Sequence, residues 1–468
     1  MQITTREFLR KLGLGGAAVA TGAAFADEYV PDMSKLPKGS CGDPQNVWFG
    51  KHIFPLEHTM TDGPSCFLKD GKVCEPAKEL PVFHETDVVV VGGGPAGFAA
   101  ALSAARAGAK VALVERYGSL GGLFTNGMVL IMLATSRHTG GRWDLVTRGV
   151  CEEFMTRVGQ YGTTFSSQPQ NTCPKKHWLP TVDPEAAKFL MDEMVAEQKN
   201  LEMFFHCWGV DTIQDGDKVL GVVFESKEGR QAILAKQVVD CTGDADMLFK
   251  AGGDYKQITA GTSTVFRWAN MDTIVPPKGE KPKWPDRGNE GNPDARWGGG
   301  TMMTANALSV RDLTRVEIAQ RKENWKRVQA MRATPGWEKV YTSSSASQIG
   351  VRGTRLVDAE LVIGRKEIFE GLTFDDCIGW CGHDGPHAAF AIPYRQLLPK
   401  KIDNLLCAGR CLGKGDTIDT FRLICPCFVT GQAAGIAAAL AAQKGVTPRA
   451  LAFSDLAREL DRQNVYHG

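Results

Sequence analysis

The sequence predicts an α/β fold: a parallel sheet with crossover helices and a β-meander, joined to an inserted α+β domain. Three observations predict it. The run Asp87-Val88-Val89-Val90-Val91 is apolar at successive positions, which is the pattern of a strand buried on both faces of a parallel sheet. A Gly turn, a helix of small residues and a second apolar strand follow it, closing a βαβ unit of the length such units take. Two further strands that run into Gly turns stand far downstream, at 237–244 and 404–410, so the sheet is assembled from distant pieces of chain.

The composition bounds the function. The chain has 468 residues, 43% hydrophobic and 23% charged, which excludes a disordered or fibrous protein. Its length suits two to about four structural units, with a core large enough to need no disulfide or metal scaffold. Lys and Arg number 54 against 53 Asp and Glu, so there is no basic stripe and no nucleic-acid partner is expected. No run of about 18 strongly apolar residues is expected, and so no integral membrane segment after signal removal.

Taken in order, residues 1–26 read as a signal peptide. Arg6, Arg10 and Lys11 form a basic stretch, a weakly apolar Gly- and Ala-rich run follows, and Ala24-Phe25-Ala26 ends it in an A-x-A cleavage pattern. Phe8-Leu9 after Arg6 resembles a twin-arginine (Tat) signal, with Thr5 standing where the first of two adjacent arginines belongs. Residues 27–80, rich in Pro, Gly and Asp, read as an irregular arm. The βαβ unit begins with the valine strand, continues in a helix over 98–107 and ends in a strand over 110–114. A helix over 184–198 starts with Pro184 after Asp183. Residues 201–240 read as short strands with turns at Asp215-Gly216-Asp217 and Lys227-Glu228-Gly229. A Pro-rich loop occupies 271–300. The helix expected over 311–333 places Leu313, Val316, Trp325 and Val328 near one face. An Ala-rich helix over 431–442 completes the chain.

The Gly turn carries the chemistry. Gly92-Gly93-Gly94-Pro95-Ala96-Gly97 matches G-x-G-x-x-G in its proper context, between a buried strand and a helix. Gly92 permits the tight turn, Gly94 lets a pyrophosphate approach the backbone, and Gly97 lets the helix pack on the strand. The helix N-terminus offers N–H groups to the phosphates. Glu115 ends the second strand, where an acidic residue accepts hydrogen bonds from the adenosine ribose and disfavours a 2′-phosphate.

On these residues the chain resembles the FAD-dependent oxidoreductases of the glutathione-reductase-like flavoprotein superfamily. The first match runs from Asp87 through Gly97 to Glu115-Arg116. The second, Val238-Val239-Asp240-Cys241-Thr242-Gly243-Asp244, resembles the superfamily's internal A-T-G-D turn. The third joins 404–410 to Gly431-Gln432-Ala433-Ala434-Gly435. Gly350-Val351-Arg352-Gly353-Thr354-Arg355, Ile392-Pro393-Tyr394-Arg395 and Ala408-Gly409-Arg410-Cys411 narrow the resemblance to the FAD-dependent oxidoreductase family over roughly 85–463, with Leu412-Gly413-Lys414-Gly415-Asp416 departing from the hydroxyl-rich stretch usual there. The resemblance implies a Rossmann-like FAD/NAD(P)-binding domain that holds FAD rather than NAD. Its cofactor-binding residues would be Gly92, Gly94, Pro95, Ala96, Gly97, Glu115, Arg116, Gly122, Thr242, Gly243, Asp244, Gly409, Arg410, Gly431, Gln432 and Ala433. The FAD domain is expected over 81–135, 183–255 and 392–468, with substrate or cap insertions at 136–182 and 256–391. A second G-x-G-x-x-G with strand and helix context, expected for an NAD(P)H domain, does not occur, and neither does a C-x-x-C pair.

The expected activity is hydride transfer between bound FAD and a small organic substrate, a dehydrogenase or reductase. The alternative is an electron-transfer subunit serving a quinone or cytochrome partner. His383 in the polar loop Gly382-His383-Asp384-Gly385-Pro386-His387 is the expected acid or base, with His387 next. Arg352, Arg355, Arg395 and Arg422 are basic candidates, and Arg352 is expected to orient an anionic substrate group. The dipole of the helix beginning near Thr430-Gly431 would stabilise reduced flavin. Trp268, Trp284, Trp297, Trp325 and Trp337 fall in the insertion as cleft or core residues. The 13 cysteines read as core thiols, with no metal site. A flavoprotein folds around its cofactor in the cytoplasm, and the Tat route carries folded cargo, so the signal at residues 1–26 makes the expected location extracytoplasmic, in the periplasm, after export as a folded protein.

Overall fold

The structure is a computed structural model that describes residues 66–139, 142–161, 181–271, 273–274, 288–289, 294–383 and 388–468. Residues 1–26, expected to be a signal peptide, Trp284 and His387 lie outside the described residues. Residues up to Lys78 form one unit, of which a hairpin of Phe67–Lys69 and Lys72–Cys74 is described, and Glu79–Gly468 form a second compact unit.

The second unit is organised by a seven-stranded sheet. Its strands are β1 (Val82–Val91), β2 (Val111–Val114), β3 (Leu201–Phe204), β4 (Trp208–Asp215), β5 (Lys218–Ser226), β6 (Gly229–Asp240) and β7 (Leu405–Cys407). The order is β3-β2-β1-β6-β5-β4, and β7 pairs with the far end of β6. Strands β3, β2, β1, β6 and β7 run parallel, whereas β4 and β5 form an antiparallel meander on β6. Strand β6 holds both neighbours on one edge by dividing it: Gly229–Leu234 pair with β5 and Val238–Asp240 with β7. The valines Val88 to Val91 are buried, as a strand covered on both faces requires.

Helix α1 (Pro95–Arg106) crosses between β1 and β2. Helix α2 (Val150–Val158) and helix α3 (Pro184–Ala196) pack beside it, and Asp183 caps α3 by accepting from the Glu185 and Ala186 N–H groups at 2.8 and 3.0 Å. In the insertion, helix α4 (Val310–Arg332) covers a core of Phe266, Trp268, Met271, Val328 and Met331. Its buried face is Val316, Gln320, Asn324, Val328 and Met331, which includes the expected Val316 and Val328; Leu313 is half-buried and Trp325, against expectation, is 63% exposed. At about 100° per residue, Trp325 stands on the face opposite Val316. Two buried amides replace it: Gln320 donates to the Thr301 carbonyl at 2.7 Å, and Asn324 accepts from the Trp268 indole at 3.1 Å. Trp268 and Trp297 are core residues.

Helix α5 (Ile424–Lys444) corrects two expectations. It begins at Ile424, so Gly431 lies inside it and its N-terminal dipole is not at Thr430-Gly431. It is also the one described helix long and apolar enough to cross a membrane, with mean hydropathy 1.6, and 94% of its apolar window is buried within the protein. Its apolarity follows from its neighbours. A Cβ on Gly431 would stand 2.1 Å from the Ala96 carbonyl oxygen, and one on Gly435 2.0 Å from that of Ala100. The two helices touch backbone to backbone, which only small residues permit. Among the described cysteines none forms a disulfide, and Cys151, Cys207, Cys241, Cys377, Cys381, Cys407, Cys411, Cys425 and Cys427 are buried.

Candidate functional site

A cleft with about 830 Å³ of empty space, part of it open to solvent, lies over the carboxyl ends of β1, β2, β6 and β7. Ligands of open α/β sheets bind at this place. Of the residues expected to hold the cofactor, Gly92, Gly94, Pro95, Ala96, Glu115, Arg116, Gly122, Thr242, Gly243, Gly409 and Arg410 line it.

The glycine turn is built as its spacing requires. Gly92 sits at φ +99°, and a Cβ there would meet the Cys241 carbonyl oxygen at 2.5 Å. A Cβ on Gly97 would stand 1.7 Å from the Gly92 carbonyl oxygen, so Gly97 serves helix packing and does not line the cleft. Gly94 differs: a Cβ would meet no described atom within 4 Å, because its open side is the cleft itself. Gly94 is the N-cap of α1, and no side chain caps the helix among the described residues. The Phe98 N–H already bonds the Gly94 carbonyl at 2.9 Å, and Pro95 has no N–H. The N–H groups of Gly94, Ala96 and Gly97 are left for a ligand.

Glu115 is buried at the end of β2. Its carboxylate accepts from the Gly93 N–H at 2.6 Å and the Tyr117 N–H at 2.8 Å. Burial pushes the Glu115 carboxyl above its ordinary value, opposed by those two N–H groups and by Arg116. Arg116 lies over the Tyr117 and Trp208 rings at 5.0 and 5.6 Å, which makes this end a flat aromatic and cationic wall.

Asp244 does not line the cleft but holds a residue that does. It accepts from Arg410 at 2.7 Å and from the Thr354 hydroxyl at 2.5 Å. Burial would raise the Asp244 carboxyl, but the Arg410 guanidinium and Thr354 hold it below its ordinary value. Asp240, fully buried at the end of β6, accepts from Thr242 and from the Met247 and Leu248 N–H groups at 2.7 to 3.0 Å. Burial pushes it up to about 6.

Gly431, Gln432 and Ala433 are not among the cleft-lining residues. Gly431 packs on α1, and the Gln432 side chain accepts from the Val150 N–H at 3.0 Å, tying α5 to α2. The cleft instead meets α5 at its true first turn, where Ile424 and Cys427 line it together with Arg422. Arg422 was a sequence candidate; Tyr117, Leu123, Cys207, Trp208, Gly209, Cys241, Asp246, Gln348 and Cys427 were not. Burial pushes the thiols of Cys241 well up and of Cys427 up to about 12, so neither is a thiolate near neutral pH.

The catalytic candidates sit apart from the cleft walls. Arg352 donates to Asp419 at 3.5 Å, and Asp419 in turn accepts from Arg422 at 3.0 and 2.6 Å. The His383 ring stands edge-on to Phe369 and Phe390 at 5.2 and 6.1 Å, and the residue's backbone N–H donates to the Ala388 carbonyl at 2.9 Å. Arg355 bonds Asp246 at 2.8 Å and Arg395 bonds Asp376 at 2.9 Å, both structural pairs. Among the described residues no group of three potential ligands could hold a metal ion.

The residues present fit a flavin dinucleotide: an uncapped helix start facing open space for the diphosphate, a buried carboxylate and aromatic wall at one end, and a second helix start at the other. The chain is 56% identical over 47 residues to dihydrolipoyl dehydrogenase of Trypanosoma brucei brucei, a match covering 10% of each chain. It is 27% identical over 219 residues to thiamine thiazole synthase of Methanococcus vannielii, covering 44% of this chain and 68% of that one. The first of these relatives is therefore matched over about a tenth of its length. A geranylgeranyl bacteriochlorophyll reductase-like protein of Thermoplasma acidophilum superposes with a TM-score of 0.39 at 13% identity, over 81% of this chain and 82% of that one. The profile of the FAD dependent oxidoreductase family matches residues 87–460, and the chain is a member of that family, an FAD-dependent oxidoreductase.

Proposed function

We propose that this oxidoreductase is an exported enzyme that moves a hydride between its FAD and a small organic substrate. The observation that carries the reading is the basic end of the cleft, where Arg422 and Ile424 line the wall at the start of α5. FAD, when bound, supplies the hydride acceptor or donor. The first turn of α5 offers free N–H groups and a partial positive charge, which favour the negative charge of the reduced ring. Asp419 fixes the Arg422 guanidinium through two hydrogen bonds. Burial raises the Asp419 carboxyl, but Arg422, Arg352 and Arg365 hold it below its ordinary value, so it is ionised at neutral pH. Arg352, on the same carboxylate, orients an anionic group of the substrate. His383 carries the substrate proton, from a loop whose neighbours Phe369 and Phe390 limit where its ring can turn.

Anaerobic mixing of the purified enzyme with a panel of small organic substrates tests the reading. Loss of the flavin absorbance with one of them supports it. Flavin that responds only to a quinone or a reduced cytochrome would replace it with the electron-transfer alternative.

Export rests on residues 1–26, and the mature chain then starts at Asp27 in the periplasm. N-terminal sequencing of periplasmic material tests this, and a start at Met1 would remove the cleavage.

A further inference from the structure

One buried side-chain polar atom of the cleft lining has no partner among the described residues. Among the described residues, the side-chain oxygen Oε1 of Gln348 is the only buried orphan on a cleft-lining side chain. A buried amide oxygen without a hydrogen bond is costly to leave unmade, so a position that keeps one has a group to meet.

The backbone around Gln348 is pinned from both sides. The Ala346 N–H bonds the Val265 carbonyl at 2.9 Å, within the insertion. The Gln348 N–H bonds the Asn126 carbonyl at 3.2 Å, and the Ser347 hydroxyl bonds the same oxygen at 3.4 Å. Asn126 is itself held by the Ser119 hydroxyl at 2.9 Å, on the loop that follows β2. The segment therefore aims its amide from the insertion at the FAD domain.

The target is the diphosphate end of the Gly turn. A Cβ on Gly122 would lie 3.9 Å from Gln348 Oε1 and 3.0 Å from the Gly94 Cα. Gln348, Gly122 and Gly94 thus converge on the space that Gly94 leaves open at the start of α1. An amide can turn either its oxygen or its NH₂ to a ligand by a flip. Facing a phosphate, the NH₂ end donates.

We infer that Gln348 binds the diphosphate of FAD, closing the cofactor from the insertion side while the N–H groups of α1 hold it from the sheet side. The inference needs only the FAD site, not the hydride reaction proposed above.

Binding of FAD and of adenosine diphosphate to the full chain, each followed by titration calorimetry, tests it. Adenosine diphosphate carries the diphosphate without the flavin. Gln348→Leu should weaken both ligands, each by about 10- to 100-fold, since a hydrogen bond to a charged group is lost. Gln348→Glu should weaken both at least as much, because it sets a like charge against the phosphates. Gln348→Asn keeps the amide on a shorter stem and should fall between. These two variants keep the test open should the leucine variant fold poorly. Unchanged affinity for both ligands in the folded variants would overturn the inference. So would weakened FAD with unchanged adenosine diphosphate, which would assign Gln348 to the flavin half. Neither outcome depends on turnover, so a protein lacking any hydride substrate would still show the loss.

Discussion

Gly94→Val separates cofactor binding from folding. Gly94 adopts φ −66° and ψ −176°, extended backbone that any residue adopts, so valine brings no backbone strain. Its side chain would enter space in which no described atom lies within 4 Å of the Cβ, so no protein group is displaced. What it fills is the position of the diphosphate. Two of the N–H groups left for that anion at the α1 start, those of Ala96 and Gly97, would be screened from it. At about 1.5–3 kcal/mol for each hydrogen bond to a charged group, the loss is about 3–6 kcal/mol, or on the order of 10²- to 10⁴-fold in Kd. The assay is the visible absorbance of the purified variant, followed by FAD titration of the folded chain. A colourless protein with native far-ultraviolet circular dichroism is the expected result. Gly97→Ala is the contrast: its Cβ would stand 1.7 Å from the Gly92 carbonyl oxygen, so it should lose fold and flavin together. Full FAD occupancy in Gly94→Val, with affinity within about threefold of the parent, would refute the reasoning that places the diphosphate at this helix start.

Further outcomes follow from the buried charges and the rim. Asp244→Ala leaves Arg410 buried and uncompensated and should cost about 3–5 kcal/mol in denaturant unfolding, while Asp244→Ala with Arg410→Ala should cost less than the sum of the single changes. Asp240, raised from 3.8 to about 6, favours the folded state fully below its unfolded pKa, and that contribution disappears as pH rises through about 6. The two-unit displacement corresponds to about 3 kcal/mol, and Asp240→Asn should remove this part of the pH dependence measured by unfolding at fixed ionic strength. His383→Ala should keep the FAD spectrum and slow the substrate half-reaction by about 10²- to 10⁴-fold in stopped-flow absorbance; parental rates would move the proton role elsewhere. Arg352→Ala should mainly raise KM for a carboxylated substrate, and an unchanged KM would remove its orienting role.

The parts of the fold legible in the sequence are those set by local pattern. The β1–α1–β2 unit, the meander from β4 to β6 and the cap of α3 by Asp183 each follow from periodicity, a Gly turn or a capping residue within a few positions. The start of α5 was misread because Gly431 and Gly435 look like a helix boundary, whereas they are small residues inside a helix pressed against α1. The face of α4 was misread because its buried positions include Gln320 and Asn324, and only their partners Thr301 and Trp268 reveal that the amides point inward. In the cleft, the glycines, Glu115 and Arg410 follow from motif spacing. Gln348 and Trp208 carry no local signal, since what brings them there is the docking of the insertion and the bond from the Cys207 N–H, just before β4, to the Glu115 carbonyl at 3.0 Å.

The contact between α1 and α5 joins the two ends of the second unit. The Gln443 side chain bonds the Ala107 carbonyl across 336 positions of sequence, and Gly431 seats on the residue that opens the diphosphate site. Loop closure over so long a stretch is slow compared with formation of the local βαβ unit. During synthesis the Gly turn therefore emerges hundreds of residues before the helix that braces it. Until Ile424–Lys444 leaves the ribosome, α1 presents a bare stripe of alanines and no settled helix start, and the chain is at its most exposed to association with other nascent chains. A chain cut short before Ile424 would carry the Gly turn, Glu115 and Arg410 but lack both the helix that braces α1 and the Ile424–Cys427 wall of the cleft.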